Sequence, residues 1–400
     1  MSNLTLSTTS RKIDNDKLAK TISYYAAFIA LGLANASLGP TLPGLAENTG
    51  TQLREISFLF TGNSLGYLIG SLLGGRLYDS LPGHTIMALM IIGIIITLAL
   101  VPTVSLLWLL TLILLLMGVS KGALDVGGNT LLVWIHKDNV GPFMNGLHFF
   151  FGVGAFLSPI LIAQALLYSG GITWAYWLLA LLIFPVALML LRLPSPPIRT
   201  TSSDAATEPI NYRLVGLIVL FFFLYVGSEV SFGGWVFTYA VTLELADKAV
   251  AAYLTSAFWG ALTVGRLLAI PITARFRPQT VLLSDLLGCI VSVTLILLSN
   301  SLLALWLGTL GLGLSMASVF PTMFSFAERR MAITGQVTSW FFVGASLGGM
   351  TLPWLIGQRI ETAGPIIVML AILLDLLVAV GILTVLMLQA AAQEHTEDYQ

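Results

Sequence analysis

Charge is scarce in this chain. Charged residues make up 9% of its 400 positions, where a soluble domain carries roughly 25%. Eighteen basic residues stand against nineteen acidic ones, for a formal net charge of -1. Without a basic surface, nucleic acid is excluded as a partner. Cysteine is nearly missing as well: Cys289 stands alone in an apolar run, so neither a disulfide framework nor a Cys-based metal site can form. The N-terminus up to Lys20 is polar and lacks the apolar core and small-residue cleavage site of a leader, so the first hydrophobic segment is expected to remain a permanent span. No His-Glu-x-x-His or phosphate-binding loop occurs. Gly62–Gly66 and Gly344–Gly348 spell Gly-x-Ser-x-Gly, but that motif needs a strand–turn–helix setting, and both copies fall in helical apolar runs.

In place of charge there is hydrocarbon. The chain is 57% apolar, more than soluble packing can use and what a bilayer requires. Runs able to cross about 30 Å of hydrocarbon fall near 21–43, 56–78, 85–101, 105–134, 143–168, 173–192, 213–241, 249–272, 280–299, 302–327, 334–358 and 364–388. These twelve runs are spans 1 to 12. If the N-terminus is cytoplasmic, thirteen Lys and Arg residues flank the spans on that side and only Arg54, Lys248 and Arg359 on the other. The positive-inside rule then places both termini in the cytoplasm.

The longest polar interior stretch, Arg192 to Arg213, is rich in Pro, Ser and Thr and reads as a flexible connector. The expected organisation is a tail at 1–20, a six-helix bundle at 21–192, a cytoplasmic linker at 193–212, a second bundle at 213–388 and a tail at 389–400. The halves are weakly alike. Asn35 and Gly39 match Glu229 and Gly233 at an offset of 194, and His148–Gly152 resembles Trp340–Gly344 at 192. Span 4 and span 10 share a Gly- and Ser-bearing centre, Gly118 and Ser120 against Gly313 and Ser315. Two similar halves around a central axis form the architecture of alternating-access carriers.

The polar residues inside the spans are the informative ones. Lys121, Asp125 and Asn129 occupy span 4 at i, i+4 and i+8 and so share a helix face. A charge at mid-membrane costs about 2.5–3.5 kcal/mol on insertion scales, so this stripe must face protein or water. An unpartnered buried carboxyl holds its proton until water or substrate arrives. Paired with Lys121, Asp125 would instead stay ionised and share its charge with a cation; a static ion pair that merely permits insertion is the plain alternative. In span 5, His148 shares a face with Asn145 and Gly152, as a cavity wall requires. In span 7, Glu229 sits among Ser228, Ser231, Trp235 and Tyr239, where aromatic faces and hydrogen-bonding groups suit a sugar ring; pairing with Arg266 of span 8 is its structural alternative. Gly66, Gly70 and Gly74 in span 2 predict close helix packing or sliding. Trp259, Trp340 and Phe341 read first as packing or lipid-facing aromatics and second as cavity walls. Asp285 is expected to pair with Arg275 or Arg277. Asp375, mid-span in span 12, has no role in this reading.

Some of these motifs resemble a known family. Gly75-Arg-Leu-Tyr-Asp79 resembles the loop motif of the major facilitator superfamily, whose aspartate helps latch the cytoplasmic gate; the basic residues that follow it there are largely missing here. Leu124-Asp125-Val-Gly-Gly-Asn129 resembles the fourth span of the fucose permease type of sugar symporter, in which the acidic residue protonates during transport and contacts substrate. Leu38–Asp79, the GALDVGGN segment and GLHFFFGVGAFLSP in span 5 look closest to the sodium-dependent glucose transporter branch. That family's span 1 Asn-Asp pair is Asn35-Ala36 here, without the second carboxylate. The place of its span 5 glutamine is taken by His148.

The resulting expectation is an all-α integral membrane protein of the major facilitator fold, not an enzyme. It would carry a small sugar or sugar-like solute by cation-coupled symport, with a proton-driven exporter of small apolar compounds as the alternative. Asp125, Asn129 and Lys121 are the expected coupling set. Asn35, Asn145, His148, Glu229 and Trp235 are the expected substrate contacts, and Gly75 and Asp79 the gating pair. No cofactor is expected beyond a coupling Na+ or H+. The other expected partners are the solute and the lipid of an inner or plasma membrane, with the chain a monomer.

Overall fold

A computed structural model of the chain describes residues 2–197, 211–331 and 333–397. Most of the linker expected at 193–212 lies outside the described residues. Among those residues, eleven helices are long and apolar enough to cross a membrane, or twelve if a bent pair is counted as one span. That pair is span 1, Asp16–Asn35 with Leu38–Thr49, bent by 45°. Pro40 explains the break: it has no N–H for the Ala36 carbonyl four residues earlier. Span 10 breaks between Met316 and Val319, four residues before Pro321, for the same reason.

The other spans run Leu53–Ser80, Gly83–Thr103, Leu107–His136, Val140–Ser169 and Thr173–Arg192 in the first half. Tyr212–Thr242, Lys248–Thr273, Pro278–Leu298, Leu302–Glu328, Gln336–Ala363 and Ile367–Gln389 make up the second. Helices are forced here, because a lipid-exposed backbone must satisfy its own N–H and C=O groups. Side chains finish several ends: Asn211 accepts from the Leu214 N–H at 3.2 Å and Asp247 from the Val250 N–H at 2.8 Å.

Each half is assembled in the same way. Spans 2 and 4, 1 and 5, and 3 and 6 pack together in the first half; spans 8 and 10, 7 and 11, and 9 and 12 do so in the second. The halves meet along spans 2 and 11, spans 5 and 8, and spans 1 and 7. The outer faces carry exposed leucines and aromatics such as Leu181, Phe184, Leu295 and Leu374, as lipid contact requires.

Glycine contacts set the register of the repeat. Gly154 abuts the Ile29 carbonyl, and Gly348, 194 residues on, abuts the carbonyl of Phe223, also 194 residues on. The 192-residue offset read between spans 5 and 11 is therefore corrected by two residues. His148 has Phe342, not Trp340, as its counterpart, because a two-residue slip on a helix turns a side chain to the opposite face. Spans 2 and 4 map onto spans 8 and 10 at 195: Gly118 abuts the Asn63 carbonyl as Gly313 abuts that of Phe258.

Candidate functional site

The centre of the first half begins with a backbone approach. A Cβ on Gly66 or Gly70 would overlap the carbonyl oxygens of Leu115 and Val119, and one on Gly118 or Gly122 would overlap those of Asn63 and Tyr67. The glycine stripe of span 2 is thus a packing face, matched by glycines of span 4, as small-residue interfaces are. This close approach brings the Tyr67 hydroxyl, one residue past Gly66, to Asp125, to which it donates a short hydrogen bond. Asn129 Nδ2 donates to the other Asp125 oxygen at 3.0 Å and to the Asp125 backbone carbonyl at 2.9 Å. The carboxyl is held from two helices by a phenol and an amide.

Lys121 does not join this group. Its Nζ is buried and donates to Asn35 Oδ1 at 3.2 Å, and it forms no ion pair with Asp125. Of the two readings weighed for Asp125, the pair with Lys121 is therefore not made. A four-residue step turns an α-helix about 40° past a full revolution, so the stripe fans out. Lys121 faces span 1 while Asp125 faces span 2. Among the described residues, Asp125 is left with hydrogen-bond donors but no fixed counter-charge.

The remaining expected contacts fall into two groups. His148 is half-buried, edge-on to Phe28 with ring centroids 6.0 Å apart, and close enough to Arg266 of span 8 to feel its charge. Glu229 is half-buried in span 7 and acts electrostatically on Tyr225, as Arg266 does. Glu229 and Arg266 form no ion pair, so the structural bridge weighed for them is not made. Asn145 is exposed, one turn from His148. Trp235 sits elsewhere. Its indole is fully buried, donates to the Pro353 carbonyl at 3.0 Å and packs on Phe60 at 5.6 Å, so it seals the halves instead of facing a cleft. Asp285 accepts a short hydrogen bond from Ser318, not from Arg275 or Arg277. Asp375 accepts from Ser228 at 2.7 Å and so ties span 12 to span 7.

The seam between the halves is built twice, at the end of the bundle remote from the termini. Pro353 has no N–H for the Gly349 carbonyl, and Ser64 of span 2 donates to that oxygen at 3.2 Å. On the other seam, Ser256 of span 8 donates at 2.7 Å to the Phe156 carbonyl, one turn before Pro159. Beyond each proline lies a glutamine. Gln164 reaches the Tyr253 hydroxyl at 2.6 Å, while Gln358 bonds the Arg54 carbonyl at 3.0 Å and Ser57 Oγ at 3.2 Å. The segments are Pro159-Ile-Leu-Ile-Ala-Gln164 and Pro353-Trp-Leu-Ile-Gly-Gln358, again 194 apart. At the opposite end, Asp79 is exposed and makes no ion pair among the described residues, and a Cβ on Gly75 would meet open space.

The family model of the Major Facilitator Superfamily matches residues 24–353. The chain belongs to that superfamily. A sodium-dependent glucose transporter 1 of Xenopus laevis is 35% identical over 356 residues, covering 81% of this chain and 72% of that protein. Among solved structures, a variant of the nucleoside transporter NupG matches with a TM-score of 0.75 at 15% identity, over 93% of this chain and 99% of that one. The E. coli fucose:proton symporter matches at 0.63 and 18%, over 93% and 99%. At such identities the structural matches establish the fold. The chain is a multi-pass membrane transporter of this superfamily.

Two parts of this arrangement escaped the sequence reading. Tyr67 carried a signal, a phenol beside the glycine stripe of an otherwise apolar span. The paired Pro-x-Leu-Ile-x-Gln segments were visible as a repeat, but their partners lie on other spans.

Proposed function

We propose that this transporter moves a small sugar or sugar-like solute together with a cation, Na+ or H+, by rocking its halves about the site between spans 1, 4, 5, 7 and 8. The observation that carries the proposal is Asp125, a mid-membrane carboxyl cradled by Tyr67 and Asn129 and left without a counter-ion. Such a group binds a proton or shares its charge with a metal cation, and either event changes the net charge of the site. The name of the Xenopus laevis relative supports sodium and glucose; the absence of a second carboxylate beside Asn35 favours a mechanism unlike that of the two-acid proton symporters.

The solute would meet Asn35, His148, Asn145 and Glu229. The doubled seam acts as the outer gate and is shut in this structure. Asp79, on the inner side, is the latch of the opposite gate and is not engaged. Positive charge on the flanks supports cytoplasmic termini, and the reading includes an inner or plasma membrane and a chain that works as a monomer. Uptake of labelled glucose into proteoliposomes, with Na+ replaced by choline at fixed and then varied pH, tests the reading. Accumulation that follows one of the two gradients supports it. Accumulation unchanged in Asp125→Asn under both gradients overturns the coupling assignment.

A further inference from the structure

Span 8 carries an indole whose N–H has no acceptor among the described residues. Trp259 is 6% exposed, and its Nε1 is buried without a hydrogen-bond partner. A buried donor left unpaired is costly, and the neighbouring Trp235 shows that this fold satisfies an indole where the acceptor is its own backbone. Trp354 Nε1 is also unpaired, but that ring packs on Phe58 in the distal seam of spans 2 and 11.

The position of Trp259 is specific. Ring atoms Cζ2 and Cε2, on the N–H side of the indole, lie 3.0 and 3.4 Å from where a Cβ on Gly233 would sit, so glycine in span 7 lets the ring edge pack closely there. Gly39 of span 1 approaches the Gly233 carbonyl. Gly39 and Gly233 each lie one turn beyond Asn35 and Glu229. This edge of the Trp259 indole is thus packed one turn beyond two polar residues of the proposed site, Asn35 and Glu229. One turn below it, Thr263 donates to the Trp259 carbonyl at 2.7 Å and rests against Gly152, a turn from His148. Trp259, Thr263 and Arg266 form one continuous wall of span 8.

We propose that the Trp259 indole N–H is a specificity-determining donor that takes one hydroxyl of the solute when the halves close around it. The indole face covers the apolar C–H face of the same ring. The donor is idle in the state seen here and is satisfied in the loaded one. Loading therefore gains a bond without breaking a protein–protein one. This inference rests on the sugar reading and adds a residue and a role that the reading lacks.

The test is competition by glucose and by its single-deoxy analogues against labelled D-glucose on the purified, reconstituted full chain. The unaltered chain is expected to bind one deoxy analogue roughly tenfold more weakly than glucose, the loss expected when a hydroxyl meant for a buried donor is missing. In Trp259→Phe, glucose weakens by about the same factor, that analogue is unchanged, and the other analogues fall in parallel with glucose. Trp259→His, which keeps a ring N–H, restores part of the discrimination. Should the phenyl ring unsettle folding, 3-benzothienylalanine at position 259 replaces only the N–H and gives the same pattern. Equal weakening of every sugar, or no change in any, overturns the role of the indole. If the unaltered chain binds no glucose, the sugar reading itself fails, in an arm that contains no variant, and this inference falls with it.

Discussion

Lys121, Asp125 and Asn129 of span 4 have their structural counterparts in Met316, Phe320 and Phe324 of span 10, each 195 residues later. The backbones around them pack alike, with Gly118 on span 2 and Gly313 on span 8. The side chains do opposite things. The first half builds a polar cradle around a carboxyl. The second fills the same place with rings: Phe320 and Phe324 lie 4.7 and 5.4 Å from Phe222, and Phe324 lies 5.4 Å from Phe341. One fold unit has thus been used twice, once as an ion-handling wall and once as a rigid apolar wall. The asymmetry also changes the surroundings of Glu229. Its counterpart Asn35 has Lys121 to bond, whereas the counterpart of Lys121 is the thioether of Met316, and Glu229 has the Tyr225 phenol beside it instead.

The most damaging way to break this contrast is to remove the carboxyl. Asp125→Asn is expected to abolish gradient-driven accumulation while leaving solute exchange across the membrane. Phe320→Leu, at the twin position, should keep accumulation and change KM only a few-fold, roughly 1 kcal/mol of packing. Uptake and counterflow in proteoliposomes measure both. Loss of accumulation in both variants would mean that the halves do not divide the work.

Next comes the cradle. Tyr67→Phe removes one hydrogen bond to a charged acceptor, worth about 1.5–3 kcal/mol. The half-saturating cation concentration should therefore move by roughly ten- to hundredfold. At the twin position, Leu262→Ala should leave cation dependence unchanged. Titrating uptake with Na+ and with protons reads the difference.

Met316→Lys sharpens the comparison from the other side by giving the second half the amine it lacks. The new ammonium is expected to pair with Glu229 and weaken solute binding about tenfold without altering cation dependence. A competition curve at saturating cation checks this.

The smallest effect belongs to the seam, where the halves are most alike. Gln164→Ala and Gln358→Ala each remove hydrogen bonds worth about 1 kcal/mol net, so each should shift the balance toward an open distal end by roughly fivefold. Spin labels at Thr51 and Thr362 would report a longer-distance population in Gln358→Ala. The native Cys289 is buried and leaves labelling undisturbed. Equal shifts from the two variants would show that the repeat extends to energetics.

Much of this was legible in the order of residues. Membrane insertion, twelve crossings and two related halves follow from long apolar runs and recurring small residues, since period and length are local properties. Asp125 with Asn129 was also legible, because both lie on one helix four residues apart. The partner of Lys121 was not: the spacing permitted Asp125, and the structure gives Asn35. The choice of Asn35 depends on where span 1 approaches span 4. Trp235 misled for a related reason: an aromatic beside polar residues suits a cleft or a seal equally, and the Pro353 carbonyl decides between them.

Composition and periodicity alone make this chain a bundle of membrane helices with ionisable groups turned inward, because hydrocarbon tolerates neither an unsatisfied backbone nor an exposed charge. The partner of each inward group was settled only by the packing of one helix on another. Tyr67 reaches Asp125 because glycines let spans 2 and 4 touch backbone to backbone, a distance set by two surfaces at once and written in neither segment by itself.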